Sequence, residues 1–128
     1  MLFDASAIIS MCMRRKFDEL LDGWTIELAM YEVGNAIWKQ IFLRRELDLD
    51  EGSRALKGIL DLINEMRIWK IEDKIGILKI AVNEGITYYD ASYLVAAIEG
   101  GFALVTDDKT LSQVAKNYIQ TISADELR

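Results

Sequence analysis

Short apolar runs alternate along the chain with longer stretches in which apolar residues recur every three or four positions. The short runs predict β-strands, and the periodic stretches predict helices. Five strands are predicted in this way: Met1–Phe3, Trp24–Leu28, Ile68–Ile71, Phe102–Val105 and Tyr118–Ile122. Strands that are separated by helices throughout are typical of a parallel sheet with helices on both faces, so the pattern predicts an α/β fold.

Helix boundaries follow from apolar spacing together with residues that begin or end helices. The predicted helices are Arg14–Leu21, Met30–Glu46, a segment from Asp48 or Asp50 to about Arg67, Lys74–Glu84, a segment from Asp90 to Gly100, and a last one that includes Leu111 and Tyr118. The short connection between the second and third of these predicts an antiparallel helical hairpin. The second is apolar around most of its circumference, which favours a deeply buried helix.

The composition suits one globular domain covering residues 1–128. With 128 residues and 52% hydrophobic content, the chain can bury a substantial core. No apolar stretch is long enough to span a membrane, and the first residues lack the basic leader of a secretory signal. A single cysteine, Cys12, can form no internal disulfide, which favours a reducing, cytoplasmic location.

Acidic residues follow two of the predicted strands and lie near the start of two predicted helices. Asp4 directly follows the first strand, and Asp107 and Asp108 come soon after the fourth. Glu32 lies early in the long helix, and Asp90 opens a later one. In parallel sheets the ligand site lies beyond the carboxyl ends of the strands, where such carboxylates can converge. Oxygen ligands without His or thiolate favour Mg²⁺ or Mn²⁺ over zinc or copper.

Each acid also has an ordinary structural explanation. Asp90 could cap the helix that it opens, and Asp107 or Asp108 could cap the helix after the fourth strand. Glu32 could be a solvated residue that the helix dipole favours in a first turn. Asp4 is harder to explain in this way, because a carboxylate directly after a buried strand must be desolvated or partnered.

The absence of histidine excludes most other hydrolytic chemistry. Without a His base, the serines cannot form a Ser-His-Asp triad, Cys12 has no partner for cysteine catalysis, and a metal-free ribonuclease with paired His is ruled out. The chain also lacks a GxGxxG or Walker A pattern, so nothing indicates nucleotide binding. Metal-dependent cleavage is therefore the leading interpretation.

The overall charge bears on whether nucleic acid can be a substrate. A net charge of −6 argues against a broad basic surface. The objection weakens if several acids are metal ligands, because a bound divalent ion offsets two charges where the substrate docks. Two basic clusters, Arg14–Lys16 and Arg44–Arg45, are interpreted as solvated helix faces.

Four segments carry a family resemblance: Leu2–Ala7, Tyr31–Ile37, Tyr88–Leu94 and Leu104–Asp108. In their order and separation the chain resembles the PIN domain, and more closely the VapC-type toxins of toxin–antitoxin systems. The resemblance covers essentially the whole chain. It implies a single PIN-like domain with a five-stranded parallel sheet, flanked by helices, and Mg²⁺- or Mn²⁺-dependent endoribonuclease activity. It also implies a cognate antitoxin and a homodimer as partners.

The resemblance also assigns roles to the acids. It implies that the catalytic residues and metal ligands are Asp4, Glu32, Asp90 and Asp108, with Glu32 acting directly or through water. The fourth acid of the family follows the strand-ending Thr by two residues, which selects Asp108. Asp107 occupies a more variable position and is expected to make a secondary or water-mediated metal contact.

Polar residues near these acids complete the predicted site. Ser6 and Thr106 match hydroxyl positions that support the acids, and Asn35 matches a polar neighbour of the helical Glu. Lys39 lies on the same predicted helix face as Asn35, so we expect it to contact a substrate phosphate. Attack by water, without help from the ribose 2′-hydroxyl, predicts products with a 5′-phosphate and a 3′-hydroxyl.

Two other functions are compatible with parts of the pattern. A catalytically silent PIN-like module would act through protein or RNA binding. The broad apolar surface of the Met30–Glu46 helix, with Trp38 and Phe42, would then contact its binding partners. A phosphoacceptor receiver domain needs an acid pair after the first strand and a Lys after the fifth. Because the acid pair here follows the fourth strand, the receiver interpretation is set aside.

Overall fold

The computed structural model describes residues 1–127 and contains one sheet of short parallel strands. The strands are β1 (Leu2–Phe3), β2 (Trp24–Thr25), β3 (Arg67–Ile68), β4 (Leu104–Val105) and β5 (Thr121–Ile122). Their order in the sheet is β3-β2-β1-β4-β5, so β1 is central. Leu2 pairs with Trp24 on one side and with Leu104 on the other. The predicted α/β fold with five parallel strands is confirmed.

Helices connect the strands and cover both faces of the sheet. They are α1 (Ala5–Met13), α2 (Phe17–Leu21), α3 (Leu28–Trp38), α4 (Leu49–Glu65), α5 (Lys74–Glu84), α6 (Tyr88–Gly100) and α7 (Lys109–Ala115), with a π-helical turn at Lys39–Leu43 and a 3₁₀ turn at Ala124–Glu126. Helices α1 to α4 pack among themselves, and α6 packs on α5 and α7. This division follows from right-handed connections, because the strand order reverses between β1 and β4. None of the helices within residues 1–127 has the length and apolar character to cross a bilayer.

The first helix begins nine residues before its predicted start. The prediction placed a helix at Arg14–Leu21, whereas the structure has α1 from Ala5 and a separate short α2. Asp4 is the N-cap of α1, and its side chain accepts a hydrogen bond from the Ala7 amide. Arg15, at φ 56°, then breaks the chain direction between the two helices. The sequence pattern missed α1 because the residue that caps it also ends a strand.

The strands are shorter than the apolar runs predict. The second ends at Thr25 rather than Leu28, and the third is Arg67–Ile68 rather than Ile68–Ile71. The fourth and fifth keep only their last two predicted residues. The central strand β1 has two residues before Asp4 starts a helix, and a ladder is no longer than its shorter strand.

Several predicted helix boundaries hold and others move. The bounds of α5 are confirmed, and Gly85 follows it in the left-handed conformation. The helix predicted for Met30–Glu46 is α3 followed by the π-helical turn, and it packs on α4 as the predicted hairpin requires. It is not deeply buried, because Trp38 and Phe42 are 48% and 61% exposed and stack on one another.

Two helix caps differ from the simplest sequence interpretation. Asp48, not Asp50, caps α4 and forms a capping box with Glu51. Thr87 caps α6, and its hydroxyl accepts the Asp90 amide at 3.0 Å. Asp90 therefore lies in the first turn of α6, and its carboxylate is free of the capping role that the sequence left open.

The core fixes the carboxyl ends of β1 and β4 tightly. Leu2 and Phe3 of β1 are completely buried, and seven consecutive residues of α6, Ala91–Ala97, are buried as well. Gly23 lies against the Phe3 ring so closely that a Cβ atom there would overlap it. Throughout residues 1–127 every buried side-chain nitrogen or oxygen has a hydrogen-bond partner. The strand ends that carry the predicted acids are therefore held by dense packing on both faces.

We expect Gly23→Ala to destabilise the protein by about 1–3 kcal/mol, because the added methyl must displace a fully buried ring. The matched control is Gly58→Ala in α4, where a Cβ meets nothing within 4 Å. That change should stabilise by about 0.5–1 kcal/mol through helix propensity. Chemical denaturation of both variants measures the difference, and equal effects in both would contradict the packing that we describe.

Candidate active site

The Asp4 carboxylate lies at the centre of a hydrogen-bonded cluster at the end of β1. It is 4% exposed. The Ser6 hydroxyl and the Ala7 amide donate to Oδ1 at 2.7 and 2.9 Å, and the Thr106 hydroxyl donates to Oδ2. The Asp4 amide donates to the Val105 carbonyl at 3.1 Å. The side chain is thus fixed by β1, by the start of α1 and by the end of β4.

The two hydroxyls that hold Asp4 also hold the loop after β4. The Asp107 amide donates to the Ser6 hydroxyl at 3.0 Å, and the Asp108 amide donates to the Thr106 hydroxyl at 3.0 Å. Each hydroxyl therefore donates to the buried carboxylate and accepts from the loop. Asp4, Ser6 and Thr106 connect the loops after β1 and β4 into one rigid unit.

The charge on Asp4 is poorly compensated. Its pKa is raised from the ordinary 3.8 to about 6, chiefly by burial and to a smaller extent by the negative charge of Glu32. The hydrogen bonds from Thr106, Ser6 and Ala7 lower the pKa but do not offset burial. No Lys or Arg within residues 1–127 forms a salt bridge with this carboxylate.

Glu32 and Asp90 reach the same region from α3 and α6. The hydroxyl of the buried Tyr93 donates to Glu32 Oε1 at 2.7 Å, which ties α3 to α6. Burial, followed by the Glu32 charge, raises the pKa of Tyr93, so the phenol stays a neutral donor. The pKa of Asp90 is raised to about 6 by burial and by the charges of Asp108 and Glu32, and the hydrogen bond to Thr87 opposes this.

The two adjacent aspartates after β4 face different surroundings. Asp108 caps α7, where the Leu111 amide donates to Oδ1 at 2.8 Å, and it lines the same cavity as the other acids. The Asp107 carboxylate instead accepts from the Ala124 amide at 2.9 Å and does not line that cavity. The expected secondary metal contact from Asp107 therefore lacks support in the geometry, because its side chain braces the 3₁₀ turn.

One cavity of about 560 Å³ gathers most of the predicted site residues. Its walls are formed by Asp4, Ala5, Ser6, Ile9, Glu32, Asn35, Ala36, Lys39, Gln40, Arg44, Asp90 and Asp108. Thr106 does not line the cavity, but its hydroxyl donates to the Asp4 carboxylate that does. Sequence reasoning missed Tyr93, which lies in an apolar periodic run that predicts core, and Gln40. It also missed Arg44, which it assigned to a solvated helix face.

The donor set suits a hard divalent cation. Four carboxylates, a hydroxyl and two amides line the cavity, and the sequence offers no imidazole. Within residues 1–127 no three His, Cys, Asp or Glu side chains are arranged so that together they could hold a metal ion. Several carboxylate oxygens instead accept hydrogen bonds from the protein. Mg²⁺ usually keeps several waters and binds one or two carboxylates directly, so the residues fit a hydrated ion.

Comparison with known proteins identifies relatives over most of the chain. A family model described as PIN domain matches residues 1–117. The chain is 37% identical to Exonuclease VapC9 of Pyrobaculum aerophilum over 94 residues, which cover 73% of this chain and 68% of that protein. It is 28% identical to Ribonuclease VapC3 of the same organism over 122 residues, covering 88% and 92% of the two chains.

Solved structures with the same fold are also similar. The crystal structure of PAE2754 from Pyrobaculum aerophilum matches with a TM-score of 0.82 and 28% identity, over 98% of this chain and 91% of that one. FitAcB from Neisseria gonorrhoeae matches with a TM-score of 0.63 and 18% identity, over 98% and 99% of the two chains. The second similarity is one of fold alone.

We expect the protein without divalent ions to become more stable as the pH falls from about 7.5 towards 5. The pKa of Asp4 and of Asp90 is raised to about 6, so the folded state binds these protons more tightly than the unfolded chain. This contribution is lost again as the pH rises through 6, and it is on the order of 1–3 kcal/mol. Thermal unfolding in chelator across this range measures it.

The matched variants for this pH test are Asp90→Asn and Asp18→Asn. The first removes a titrating carboxyl from the cavity and should flatten the dependence. The second changes an exposed Asp of α2 and should leave the dependence unchanged. Steady loss of wild-type stability from pH 7.5 to 5 would contradict the electrostatics that we describe.

Proposed function

The chain belongs to the PIN-domain family, and from that premise we propose that it is a metal-dependent endoribonuclease, a toxin of the VapC type. The observation that carries the proposal is the convergence of Asp4, Glu32, Asp90 and Asp108 on one cavity from four separate parts of the chain. Two of these acids have raised pKa values, mainly because they are buried and partly because of neighbouring negative charges, and a cation would relieve that repulsion.

In the proposed mechanism three of the carboxylates bind the cation and the fourth orients the attacking water. Asp4, Asp90 and Asp108 would hold Mg²⁺ or Mn²⁺, directly or through water. When bound, the cation lowers the pKa of a coordinated water and stabilises negative charge on the scissile phosphate. Glu32, kept in place by the Tyr93 hydroxyl, orients the attacking water. The products are a 5′-phosphate and a 3′-hydroxyl, because water rather than the ribose 2′-hydroxyl attacks.

Polar neighbours of the acids have supporting roles in this mechanism. Ser6 and Thr106 keep the Asp4 carboxylate in a single orientation through their hydroxyls. Asn35 lines the cavity one helical turn after the acid on α3, and Lys39 follows after a further turn. Lys39 contacts a substrate phosphate, which offsets part of the repulsion between a polyanion and the acidic cavity.

Two parts of the proposal are tested directly: that the substrate is RNA, and that the cut is made inside the strand and not at an end. One relative is named as a ribonuclease and the other as an exonuclease. An endonuclease opens a circular RNA, whereas an exonuclease needs an end, so a circular substrate separates the two modes. Circular DNA of the same sequence tests whether the substrate must be RNA.

Two apolar surfaces support the proposed partners. A groove of about 740 Å³ between α1, α2, α3 and α4 adjoins the acidic cavity and shares Ile9, Ala36 and Gln40 with it. We assign it to an apolar segment of a cognate antitoxin. On α5, the exposed side chains of Leu78 and Val82 form part of an apolar stripe, which we assign to a homodimer interface.

A silent binding module is the second candidate function. The exposed stack of Trp38 on Phe42, with ring centroids 5.4 Å apart, favours a role in partner binding. The retention of all four acids in one cavity favours catalysis over this alternative. The cytoplasmic location predicted from the single cysteine stays a prediction, and Cys12 is a free thiol whose pKa burial raises.

We expect Asp108→Asn to lower circular-RNA cleavage in Mg²⁺ or Mn²⁺ by about 10²-fold or more, since it removes a charge from the reacting site. Asp107→Asn is the matched control, because it makes the same change one residue away, outside the cavity. That variant should lose less than about tenfold. Asn can replace Asp as a helix cap, so α7 is kept in both variants.

The cleavage experiment also includes wild-type protein in chelator and the Asp4→Asn variant. Undiminished cleavage in both would rule out a metal mechanism built on these carboxylates. Cleavage of linear but not circular RNA would replace the endonuclease by an exonuclease. Equal losses in Asp107→Asn and Asp108→Asn would contradict the different placement of the two side chains.

We expect Val82→Glu to convert a dimer into a monomer, because it places a charge on the most exposed residue of the apolar stripe of α5. Sedimentation velocity measures the change. Leu49→Glu is the control, since it places the same charge at another exposed apolar position, in the first turn of α4. A wild-type protein that is monomeric at high micromolar concentration would contradict the proposed interface.

A further inference from the structure

The helix that carries Glu32 ends in a π-helical turn at Lys39–Leu43, at the rim of the acidic cavity. The Arg44 amide donates to the Lys39 carbonyl at 2.9 Å, five residues back instead of four. A π-helical turn therefore contains one residue more than the α-helical turn that it replaces, and such turns are frequent at functional sites.

The extra residue changes which side chain faces the cavity. In a continuous α-helix, residue 43 would point about 20° from the direction of Glu32, and residue 44 would point about 120° away. The wider turn moves each later residue back by about one position. Arg44 therefore takes the direction that Leu43 would otherwise have.

The positions of the two side chains agree with this geometry. Arg44 lines the cavity with Asp4, Asp90 and Asp108, whereas Leu43 does not line it and is 58% exposed. The helix ends directly afterwards, because Arg45 adopts a left-handed conformation at φ 54°. The π-helical turn thus brings a guanidinium group to the cavity from the last residue before the chain turns away.

The Arg44 side chain has unused binding capacity. It makes no hydrogen bond or salt bridge to any residue in 1–127, although four carboxylates line the same cavity. Its role is therefore not to neutralise those acids inside the folded protein. A guanidinium group offers paired donors that match two phosphate oxygens, and an ammonium such as that of Lys39 acts only as a point charge.

We propose that Arg44 is a substrate-positioning residue that binds the RNA backbone phosphate beside the carboxylates, and that the π-helical turn sets its direction. This inference rests on the proposed ribonuclease function. An acidic cavity repels a polyanion, and a guanidinium group at its rim offsets that repulsion where the scissile phosphodiester must approach the acids.

The test compares three substitutions and one exchange of neighbours. Arg44→Gln removes the charge, and Arg44→Lys keeps the charge without the paired donors. The double variant Leu43→Arg/Arg44→Leu keeps composition and net charge but turns the guanidinium away from the cavity. Arg45→Asn is the control, because it removes the neighbouring charge and Asn tolerates the left-handed conformation.

Two measurements separate a positioning role of Arg44 from a structural one: the affinity for RNA, and the kcat and KM of RNA cleavage. The affinity for single-stranded RNA in chelator, across a range of salt, reports the phosphate contact without catalysis. We expect Arg44→Gln and the exchange variant to weaken binding by about tenfold and to reduce the salt slope by about 0.7, the value for one phosphate contact. Arg44→Lys should keep the salt slope of the wild type but should have a lower kcat. Arg45→Asn should match the wild type in kcat and KM.

The outcomes distinguish this inference from the function on which it rests. If wild type cleaves RNA and Arg44→Gln binds and cleaves equally well, the role of Arg44 is overturned and the ribonuclease proposal stands. If the exchange variant matches wild type, only the charge matters and the assigned direction is overturned. If wild type neither binds nor cleaves RNA, the ribonuclease proposal fails and the role of Arg44 fails with it.

Discussion

The buried Asp4 carboxylate connects the three chain segments that meet beyond the central strand. It caps α1 and accepts hydrogen bonds from the hydroxyls of Ser6 and Thr106. Through these hydroxyls it holds the loop after β4. Each strand of this sheet has only two residues, so the backbone ladders supply few hydrogen bonds. The side-chain cluster therefore replaces part of the order that longer strands would provide, and it does so at the edge where the acids meet.

The same carboxylate is unfavourable for stability at neutral pH. It is buried, and no Lys or Arg in residues 1–127 forms a salt bridge with it. The pKa of Asp90 is also raised to about 6, mainly by burial and then by the charges of Asp108 and Glu32. Proteins keep such unrelieved repulsion where function requires it, and the rest of the fold must compensate. Here the compensation comes from packing, since β1 and most of α6 are buried.

Much of this arrangement follows from the sequence, and the rest does not for identifiable physical reasons. Apolar periodicity predicts five parallel strands, and strand ends select Asp4 and the pair Asp107 and Asp108, because ligand sites lie at that edge of a sheet. Only the family resemblance selects Asp108 within that pair. The pattern misses α1, since its cap also terminates a strand. It also misplaces Arg44, because a π-helical turn changes the direction of a side chain without any residue signature. Strand lengths depend on the partner strands and not on local composition.

Seven consecutive residues of α6 are buried, so the wall of the cavity that α6 forms should open later than the exposed turn after α3. Local opening begins where few apolar contacts hold the backbone, and the last turn after α3 is exposed over most of its length. Amide exchange should therefore be fast around Arg44 and slow within Ala91–Ala97, which follows Asp90. A partly opened molecule would keep the carboxylates of Asp4 and Asp90 in place while the Lys39–Leu43 turn at the rim of the cavity is already loose.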